Sequence, residues 1–241
     1  MCVKSRGCDS LRARMSLDRL DHRLRPASGD PEGALVLLHG RGTSEHDLFP
    51  LLDLFDPERR LVGVTPGGPL SLPPGGRHWY AIRQLGYPPP ETFLPTYERL
   101  CKWLDALPEA LGVPPERTIL GGFSQGGVMS YAAGLGAGRP GPAGIMALSA
   151  FVPTVEGLEL DLVDRDGFPV AIAHGSRDPV IGVEWGRRAR DLLVDAGCDV
   201  LYVESEVSHT LDPRGLPRLA EWVQRTVDRA AQAEPPAAAG S

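Results

Sequence analysis

The chain has 241 residues and a formal net charge of −6, a length that a single α/β domain can fill around one large core. Its basic residues form no stripe or run in the body of the chain, which excludes the electrostatic pattern of a nucleic-acid-binding protein. No apolar run approaches the roughly 18 residues of a membrane span, and the charged N-terminus lacks the apolar core of a secretory signal. We therefore expect neither a membrane-spanning segment nor export by that signal.

The cysteine pattern excludes a zinc-type cluster and a disulfide framework, because no two cysteines have the required spacing. A reducing, cytoplasmic compartment is the simplest expectation from this usage. The four cysteines are Cys2, Cys8, Cys101 and Cys198.

Both ends of the chain have the composition of disordered tails, residues 1–16 being charged and residues 231–241 rich in proline and alanine. We expect one domain over residues 17–230. Met15 is an alternative to Met1 as the start of translation.

Apolar runs of strand length alternate with helix-like segments along the rest of the chain. The runs are nearly continuous rather than alternating, which predicts strands covered by helices on both faces, as in a parallel α/β sheet. The predicted strands are 34–40, 61–68, 117–124, 144–150, 169–175 and 199–205, and the predicted helices are around 44–56, 92–111, 125–137, 184–196 and 214–231. Proline and glycine in residues 65–90 predict a long irregular loop, which is often functional in such domains.

Ser124 is the candidate nucleophile. The sequence Gly122-Phe123-Ser124-Gln125-Gly126 matches G-x-S-x-G, in which a serine on a strained strand-to-helix turn exposes its hydroxyl above the sheet. An apolar strand enters the motif and a segment of small and apolar residues leaves it, as this motif requires. The alternative is a glycine-rich turn whose serine only caps a helix.

A serine nucleophile requires a histidine base and a carboxylate that orients the histidine. In folds that carry the G-x-S-x-G turn, the acid and then the histidine follow the serine along the chain. His209 lies in a polar loop directly after the last predicted strand, whereas His174 ends a strand and is assigned a structural role. Asp178 follows the strand 169–175 and is the predicted acid. The competing carboxylates precede that strand, and they are Asp161, Asp164 and Asp166.

Two backbone N–H groups are expected to stabilise the oxyanion, that of Gln125 after the nucleophile and that of Arg41 in the loop after the first core strand. His39 is assigned to support of this loop, and neither His39 nor His46 has partners at a metal-ligand spacing. We predict no metal site.

With "LLHGRGTS", "GGFSQGG", "HGSRDPVI" and "VSHTLDP" in this order, the chain resembles the phospholipase/carboxylesterase family, relatives of the acyl-protein thioesterases within the α/β-hydrolases. The resemblance covers roughly residues 32–228. It implies an α/β-hydrolase fold with a mostly parallel central sheet and helices on both faces. It also implies a Ser124-Asp178-His209 triad, oxyanion N–H groups from Arg41 and Gln125, and hydrolysis of carboxylic esters or thioesters without a cofactor. We expect a monomer or homodimer that acts on a small-molecule ester or thioester.

The chain departs from the family pattern at two positions, and the first of them bears on the substrate. The residue after the first His-Gly is usually apolar in the family and is Arg41 here, and the catalytic histidine usually follows glycine but here follows Ser208. Only residues 151–168 separate a predicted strand from the acid-bearing strand, so we expect no large lid domain. Because Arg41 is charged and there is no room for a lid, the sequence predicts substrates with short-to-medium acyl chains.

Trp79 and Tyr80 in the long loop either line the site or anchor the loop by packing. The alternative functions are a lysophospholipase or long-chain acyl thioesterase, a lactone hydrolase or cofactor-free perhydrolase, and a catalytically silent α/β-hydrolase that acts by binding.

Overall fold

The computed structural model describes residues 20–163 and 165–232, which form a seven-stranded sheet with helices on both faces. The strands are β1 (His22–Arg25), β2 (Gly33–Leu38), β3 (Leu61–Pro66), β6 (Thr118–Phe123), β7 (Gly144–Leu148), β8 (Pro169–Gly175) and β9 (Asp199–Ser205), with β4 (Leu70–Leu72) and β5 (Gly76–His78) forming a separate hairpin. The helices are α1 (Leu51–Phe55), α2 (Pro90–Asp105), α3 (Leu107–Leu111), α4 (Gln125–Leu135), α5 (Val183–Asp195) and α6 (Leu216–Gln232), with short 3₁₀ turns at Pro115–Arg117 and Pro213–Gly215.

The strand order is β1-β3-β2-β6-β7-β8-β9, and every pair is parallel except β1 with β3. This confirms the predicted mostly parallel sheet. The carboxyl ends of β2, β6 and β8 therefore lie along one edge of the sheet, where the loops that follow them can meet.

The continuous apolar runs have a direct physical reason in β2. Ala34, Val36 and Leu38 pack on one face, with α2 and α4, and Leu35 and Leu37 pack on the other, with α1 and α6. Since both faces are buried, neither set of alternating positions can be polar.

The residues between β7 and β8 contain no helix within 149–163 and 165–168, so the fold has no large lid domain. The terminal tails predicted from the sequence lie outside the described residues, except that Ala231 and Gln232 continue α6. The last helix therefore extends two residues beyond the predicted end of the domain.

The prediction of an irregular loop over residues 65–90 is wrong in part, because β4 and β5 form an antiparallel hairpin there. The prolines Pro73 and Pro74 lie in the connection between these strands, where no ladder hydrogen bond is required of them. The single helix predicted over 92–111 is divided into α2 and α3, with Pro108 in the first turn of α3.

A close contact between backbones fixes α4 against β2. A Cβ atom added to Gly126 would overlap the carbonyl oxygen of Leu38 and would lie 2.7 Å from the carbonyl oxygen of His39. One added to Gly122 would lie 2.6 Å from the Gly126 carbonyl oxygen. The two glycines of the G-x-S-x-G motif are thus required by space rather than by flexibility.

Gly126→Ala is expected to reduce the free energy of unfolding by about 3 kcal/mol or more, the upper end for overpacking, because backbone oxygens cannot move aside as a side chain can. For a chain of this size the melting temperature should fall by roughly 6–12 °C. The control is Gly29→Ala, since no atom lies within 4 Å of a Cβ at Gly29. Equal melting temperatures for the two variants would show that the helix adjusts its position freely.

Candidate active site

Ser124 lies on the turn between β6 and α4 with a backbone conformation that few residues adopt. Its φ is 54° and its ψ is −120°, and its N–H donates to the carbonyl oxygen of Leu148 at 2.8 Å. A non-glycine residue held at positive φ costs about 1–3 kcal/mol and persists only where the surrounding structure enforces it. The result is a serine side chain, 8% exposed, that lines a cavity of about 400 Å³.

Asp178 and His209 are joined by a hydrogen bond at the carboxyl end of β8. His209 Nδ1 lies 2.7 Å from Asp178 Oδ2, and the other carboxylate oxygen accepts from the N–H groups of Val180 at 2.8 Å and Ile181 at 2.9 Å. The Asp178 side chain is fully buried and that of His209 is 18% exposed. Because the carboxylate accepts, His209 Nδ1 carries the proton and Nε2 is unprotonated, in a ring that lines the same cavity as Ser124.

The loop that carries His209 is held by backbone contacts with the segment that leads from β8 to Asp178. Arg177 N–H donates to the Val207 carbonyl oxygen at 3.1 Å, and a Cβ at Gly175 would overlap the carbonyl oxygen of Ser208. The ring of Phe123 packs on the imidazole of His209 with a centroid distance of 4.8 Å. These contacts hold the imidazole against Phe123, the residue that precedes Ser124.

The competing acids lie elsewhere. Asp161 Oδ1 accepts from the N–H of Val163 at 3.2 Å, and Asp166 lies against Gly197 at the opposite end of β9. Asp164 is outside the described residues. Neither Asp161 nor Asp166 is among the residues that line the cavity.

The loop after β2 lies beside Ser124. A Cβ added to Gly40 would be 3.6 Å from the Cβ of Ser124 and 3.1 Å from a ring carbon of Phe123. Arg41 and Gln125 both line the cavity. Among residues 20–163 and 165–232, neither the N–H of Arg41 nor that of Gln125 takes part in the turn, loop and cap hydrogen bonds of the backbone. The two predicted oxyanion donors therefore lie at the same cavity.

His39 supports this loop, as the sequence suggested. Its Nε2 accepts from the N–H of Gly68 at 2.8 Å, so Nδ1 carries the proton and donates to the carbonyl oxygen of Gly40 at 2.6 Å. Burial of the ring lowers the pKa of His39 below its ordinary value. The neutral tautomer thus links the oxyanion loop to the segment before the hairpin.

The side chain of Gln125 has a second role that the sequence analysis missed. Its Oε1 accepts from the N–H of Trp79 at 3.0 Å and its Nε2 donates to the carbonyl oxygen of Tyr80 at 2.8 Å. These two bonds attach the segment after β5 to the nucleophile turn.

Trp79 does not line the cavity, so of its two predicted roles the one in substrate binding is wrong. Its side chain is fully buried and its indole Nε1 donates to the carbonyl oxygen of His39 at 2.8 Å. A tryptophan with a satisfied N–H in a packed interior anchors the loop. Tyr80 does line the cavity, although only 3% of it is exposed, and burial raises the pKa of its hydroxyl.

The remaining cavity wall is mostly apolar and was not predicted from the sequence. Ile82 and Val180 are 56% and 55% exposed, so they lie at the mouth. The wall also contains Leu85, Phe151 and Ile181, together with the polar residues Thr43, Asp47 and Gln84. These residues come from four separate loops, and no local motif connects them.

Two further findings concern the part of the chain that the structure describes. It contains no group of three or more His, Cys, Asp or Glu side chains arranged to hold a metal ion. Among these same residues no helix combines the length and apolarity needed to cross a membrane.

The parallel sheet, the strained serine turn after its central strand and the acid and histidine loops at its carboxyl edge define an α/β-hydrolase. More narrowly, the chain belongs to the phospholipase/carboxylesterase family, whose model matches residues 23–227.

Curated relatives include acyl-protein thioesterase 1 of Cryptococcus neoformans, 31% identical over 173 residues that cover 66% of this chain and 72% of the relative. Acyl-protein thioesterase 1 of Gibberella zeae is 26% identical over 230 residues, or 88% and 97% of the two chains. Among solved structures, esterase PE8 has a TM-score of 0.75 at 27% identity and matches 86% of this chain and 99% of its own. The Bacillus cereus carboxylesterase has a TM-score of 0.77 at 21% identity, with 92% and 100% covered.

The family membership and these relatives make the protein a serine hydrolase that acts on carboxylic esters. The family and the enzyme class predicted from the sequence are thereby confirmed. The roles of individual side chains are a separate question.

The neutral state of His39 predicts how stability depends on pH. The folded pKa is depressed, so as the pH falls through about 6.5 the unfolded chain binds a proton that the folded chain does not. The free energy of unfolding should then decrease by up to about 1.4 kcal/mol per pH unit from this group alone. His39→Asn keeps an N–H for Gly40 but cannot titrate, and it should show a shallower slope in urea unfolding between about pH 7 and 5.

The control is His46→Asn, since the His46 side chain is on the same loop and 62% exposed. A decrease in slope that is larger in His39→Asn than in His46→Asn would assign the effect to the buried ring. If His39→Asn kept the slope of the unsubstituted protein, the acid sensitivity would arise from other groups.

Proposed function

We propose that Ser124, His209 and Asp178 are the catalytic triad of this esterase, and that Arg41 and Gln125 donate their backbone N–H groups to the oxyanion. The observation that carries the proposal is the convergence of three elements. Ser124 and His209 line one cavity, and Oδ2 of Asp178 lies 2.7 Å from Nδ1 of His209.

The proposed reaction follows from these positions. Ser124 Oγ attacks the acyl carbonyl carbon while His209 Nε2 takes the hydroxyl proton, and Asp178 stabilises the resulting imidazolium through Nδ1–H. The negative charge that develops on the carbonyl oxygen is stabilised by the two backbone N–H groups.

Collapse of this tetrahedral intermediate breaks the bond to the alcohol or thiol, which leaves with the proton from His209. Water then attacks the acyl-enzyme by the same steps, with His209 as base, and releases the carboxylic acid. Each proton taken is returned, so the cycle needs no cofactor.

We propose short-to-medium acyl esters as the substrates. The cavity volume of about 400 Å³ is near the lower end of the range of roughly 300–1,000 Å³ for ligand pockets. Apolar residues such as Leu85 and Phe151 can receive a few carbons of an acyl chain, but the exposed Arg41 is part of the same wall. A guanidinium there interrupts the apolar surface that a long chain requires, although its aliphatic stem can pack on nearby carbons.

The second candidate is a thioesterase or lysophospholipase that accepts long acyl chains. It is favoured by the curated relatives, which are named acyl-protein thioesterases. The same catalytic residues serve both functions, so the two differ only in how the acyl group and leaving group fit the cavity.

A cytoplasmic location and a monomeric or homodimeric state remain part of the proposal. The location rests on the cysteine usage, and the described cysteines, Cys101 and Cys198, are both buried and unpaired. We also propose that the hydrolase domain begins near residue 17 and continues as one unit through α6.

Ser124→Ala is expected to fold normally and to lose both ester hydrolysis and labelling by a fluorophosphonate probe, because the hydroxyl is the sole nucleophile. Asp178→Asn should lower kcat by roughly 10⁴-fold, the loss found in serine proteases when the imidazole is held in the wrong tautomer. Steady-state kinetics on 4-nitrophenyl butyrate and gel-based probe labelling provide the two measurements.

Asp166→Asn is the matched control for the acid and should remain active. Turnover by Ser124→Ala would refute the mechanism, and activity of Asp178→Asn combined with inactivity of Asp166→Asn would refute the acid assignment. A folded protein that neither labels nor hydrolyses any ester would point to the catalytically silent alternative.

Arg41 is expected to set the upper limit of acyl length. For 4-nitrophenyl esters from acetate to palmitate, kcat/KM should peak at a short or medium chain. In Arg41→Leu the optimum should move to longer chains, with each newly buried methylene contributing about 0.8 kcal/mol, or roughly fourfold.

Arg83→Leu is the control, because Arg83 is exposed and pairs with Glu91 while its neighbours Ile82 and Gln84 line the cavity. It should leave the chain-length profile unchanged. If kcat/KM of the unsubstituted protein rose up to palmitate and Arg41→Leu left that trend unchanged, the proposal of short-to-medium acyl substrates would be wrong. The long-chain thioesterase or lysophospholipase would then be the better assignment.

A further inference from the structure

His174 is a buried histidine that the proposed reaction does not use. It is the sixth residue of β8, four positions before Asp178, and its side chain has no exposed surface. Its Nε2 lies 2.8 Å from the carbonyl oxygen of Ile181 and 3.7 Å from Asp178 Oδ2. Since a carbonyl oxygen only accepts, the proton is on Nε2, and the N–H is on the side of the acid's carboxylate.

The other ring nitrogen of His174 has no partner. Nδ1 is buried without a hydrogen bond in the described structure, and α5 packs against this side so closely that a Cβ at Gly186 would lie 2.5 Å from it. A buried nitrogen without a partner is unfavourable, and an apolar side chain at this position would avoid that cost. The packing of β8 therefore does not explain a histidine here, whereas the Nε2–H contact with Ile181 does.

The turn from Asp178 to Ile181 depends on that contact. Asp178 Oδ1 accepts from the N–H groups of Val180 and Ile181, and His174 donates to the carbonyl of the same Ile181. Ile181 is thus held on both sides of its α-carbon, by the acid through its N–H and by His174 through its C=O. With Oδ1 fixed by the turn, Oδ2 has one direction left, toward His209 Nδ1.

We propose that His174 is a positioning residue that fixes the turn of Asp178 and so aligns the carboxylate with His209. This inference rests on the proposed function, because it assigns Asp178 as the acid. His174 touches neither the cavity nor a reacting atom, and its effect on catalysis passes through the carboxylate.

The charged and titratable groups around His174 are few. Asp178 faces Nε2 from the turn, and His209 lies beyond that carboxylate. On β9, Glu204 is the sheet partner of His174 and is bonded to Arg187 of α5 and to the hydroxyl of Tyr202. A change in the pH profile on substitution of His174 should therefore come through Asp178 and His209.

The test compares His174→Leu, which removes the donor, with His174→Gln, whose amide nitrogen can take the place of Nε2. We expect His174→Leu to lose roughly 10–100-fold in kcat with little change in KM, by analogy with metal sites, where removal of a residue that orients a ligand causes a loss of this size. The acid limb of its kcat/KM profile should move to lower pH, because a misaligned carboxylate stabilises the imidazolium less. His174→Gln should recover most of the activity and the original profile.

A double-mutant cycle separates positioning from general destabilisation. If His174 acts through the carboxylate, adding His174→Leu to Asp178→Asn should cost nothing further in kcat. Multiplicative losses in the double variant, or a folded His174→Leu with unchanged kcat and pH profile, would overturn the inference. Full activity of Asp178→Asn alone would instead overturn the acid assignment in the proposed function.

Should His174→Leu fail to fold, the comparison of His174→Gln with His174→Asn replaces it. The shorter amide of asparagine reaches the position of Nδ1 and not that of Nε2, so it is polar but cannot donate to Ile181. We expect activity and pH profile to be retained in the glutamine variant and lost or shifted in the asparagine variant. Identical behaviour of the two would contradict the proposal.

Discussion

The active site depends on one steric constraint, the contact between the first turn of α4 and the end of β2. Gly126 allows this helix to approach the carbonyl oxygens of Leu38 and His39, where any side chain would overlap them. That approach determines where Ser124 lies relative to Gly40 and the oxyanion loop. Because the strain at Ser124 must be opposed by rigid surroundings, backbone contact is better suited to hold it than flexible side chains would be.

A second layer of polar contacts surrounds this core of the site. His39, Trp79 and the side chain of Gln125 are joined, directly or through adjacent backbone groups, by hydrogen bonds. The loop after β2, the turn that carries Ser124 and the segment after the hairpin therefore share one hydrogen-bond network. Each buried donor in it has an acceptor, which makes the arrangement rigid rather than costly. On the other side of the serine, His174 and the acid turn form a comparable network around Ile181.

Much of this architecture could be predicted from local patterns. The strands β2, β3, β6, β7, β8 and β9 were found within two residues at each end because buried parallel strands are continuous apolar runs. The charged strand β1 was missed, since its place in the sheet depends on pairing with β3 and on the burial of Arg25 against Asp56. The hairpin was missed because the prolines and glycines of its turn obscured two short strands.

The residues of the site also divide into those that a local motif predicts and those that it does not. The positions of Ser124, Asp178 and His209 could be predicted because motifs mark the ends of strands, although their catalytic roles stay predictions until tested. The apolar wall formed by Ile82, Leu85 and other loop residues could not be predicted, because it is assembled from segments far apart in the chain. Trp79 was ambiguous because an aromatic residue near an entrance and one that packs inside have the same sequence pattern.

The turn of the β4–β5 hairpin has a consequence for the evolution and engineering of this enzyme. A Cβ at Gly75 would touch nothing within 4 Å, while the base of the same segment is bonded to His39 and Gln125. Insertions or grafted loops at residues 73–75 can therefore be accommodated without displacing the attachment points. The length of this turn can thus change while the contacts of the segment with His39 and Gln125 are kept.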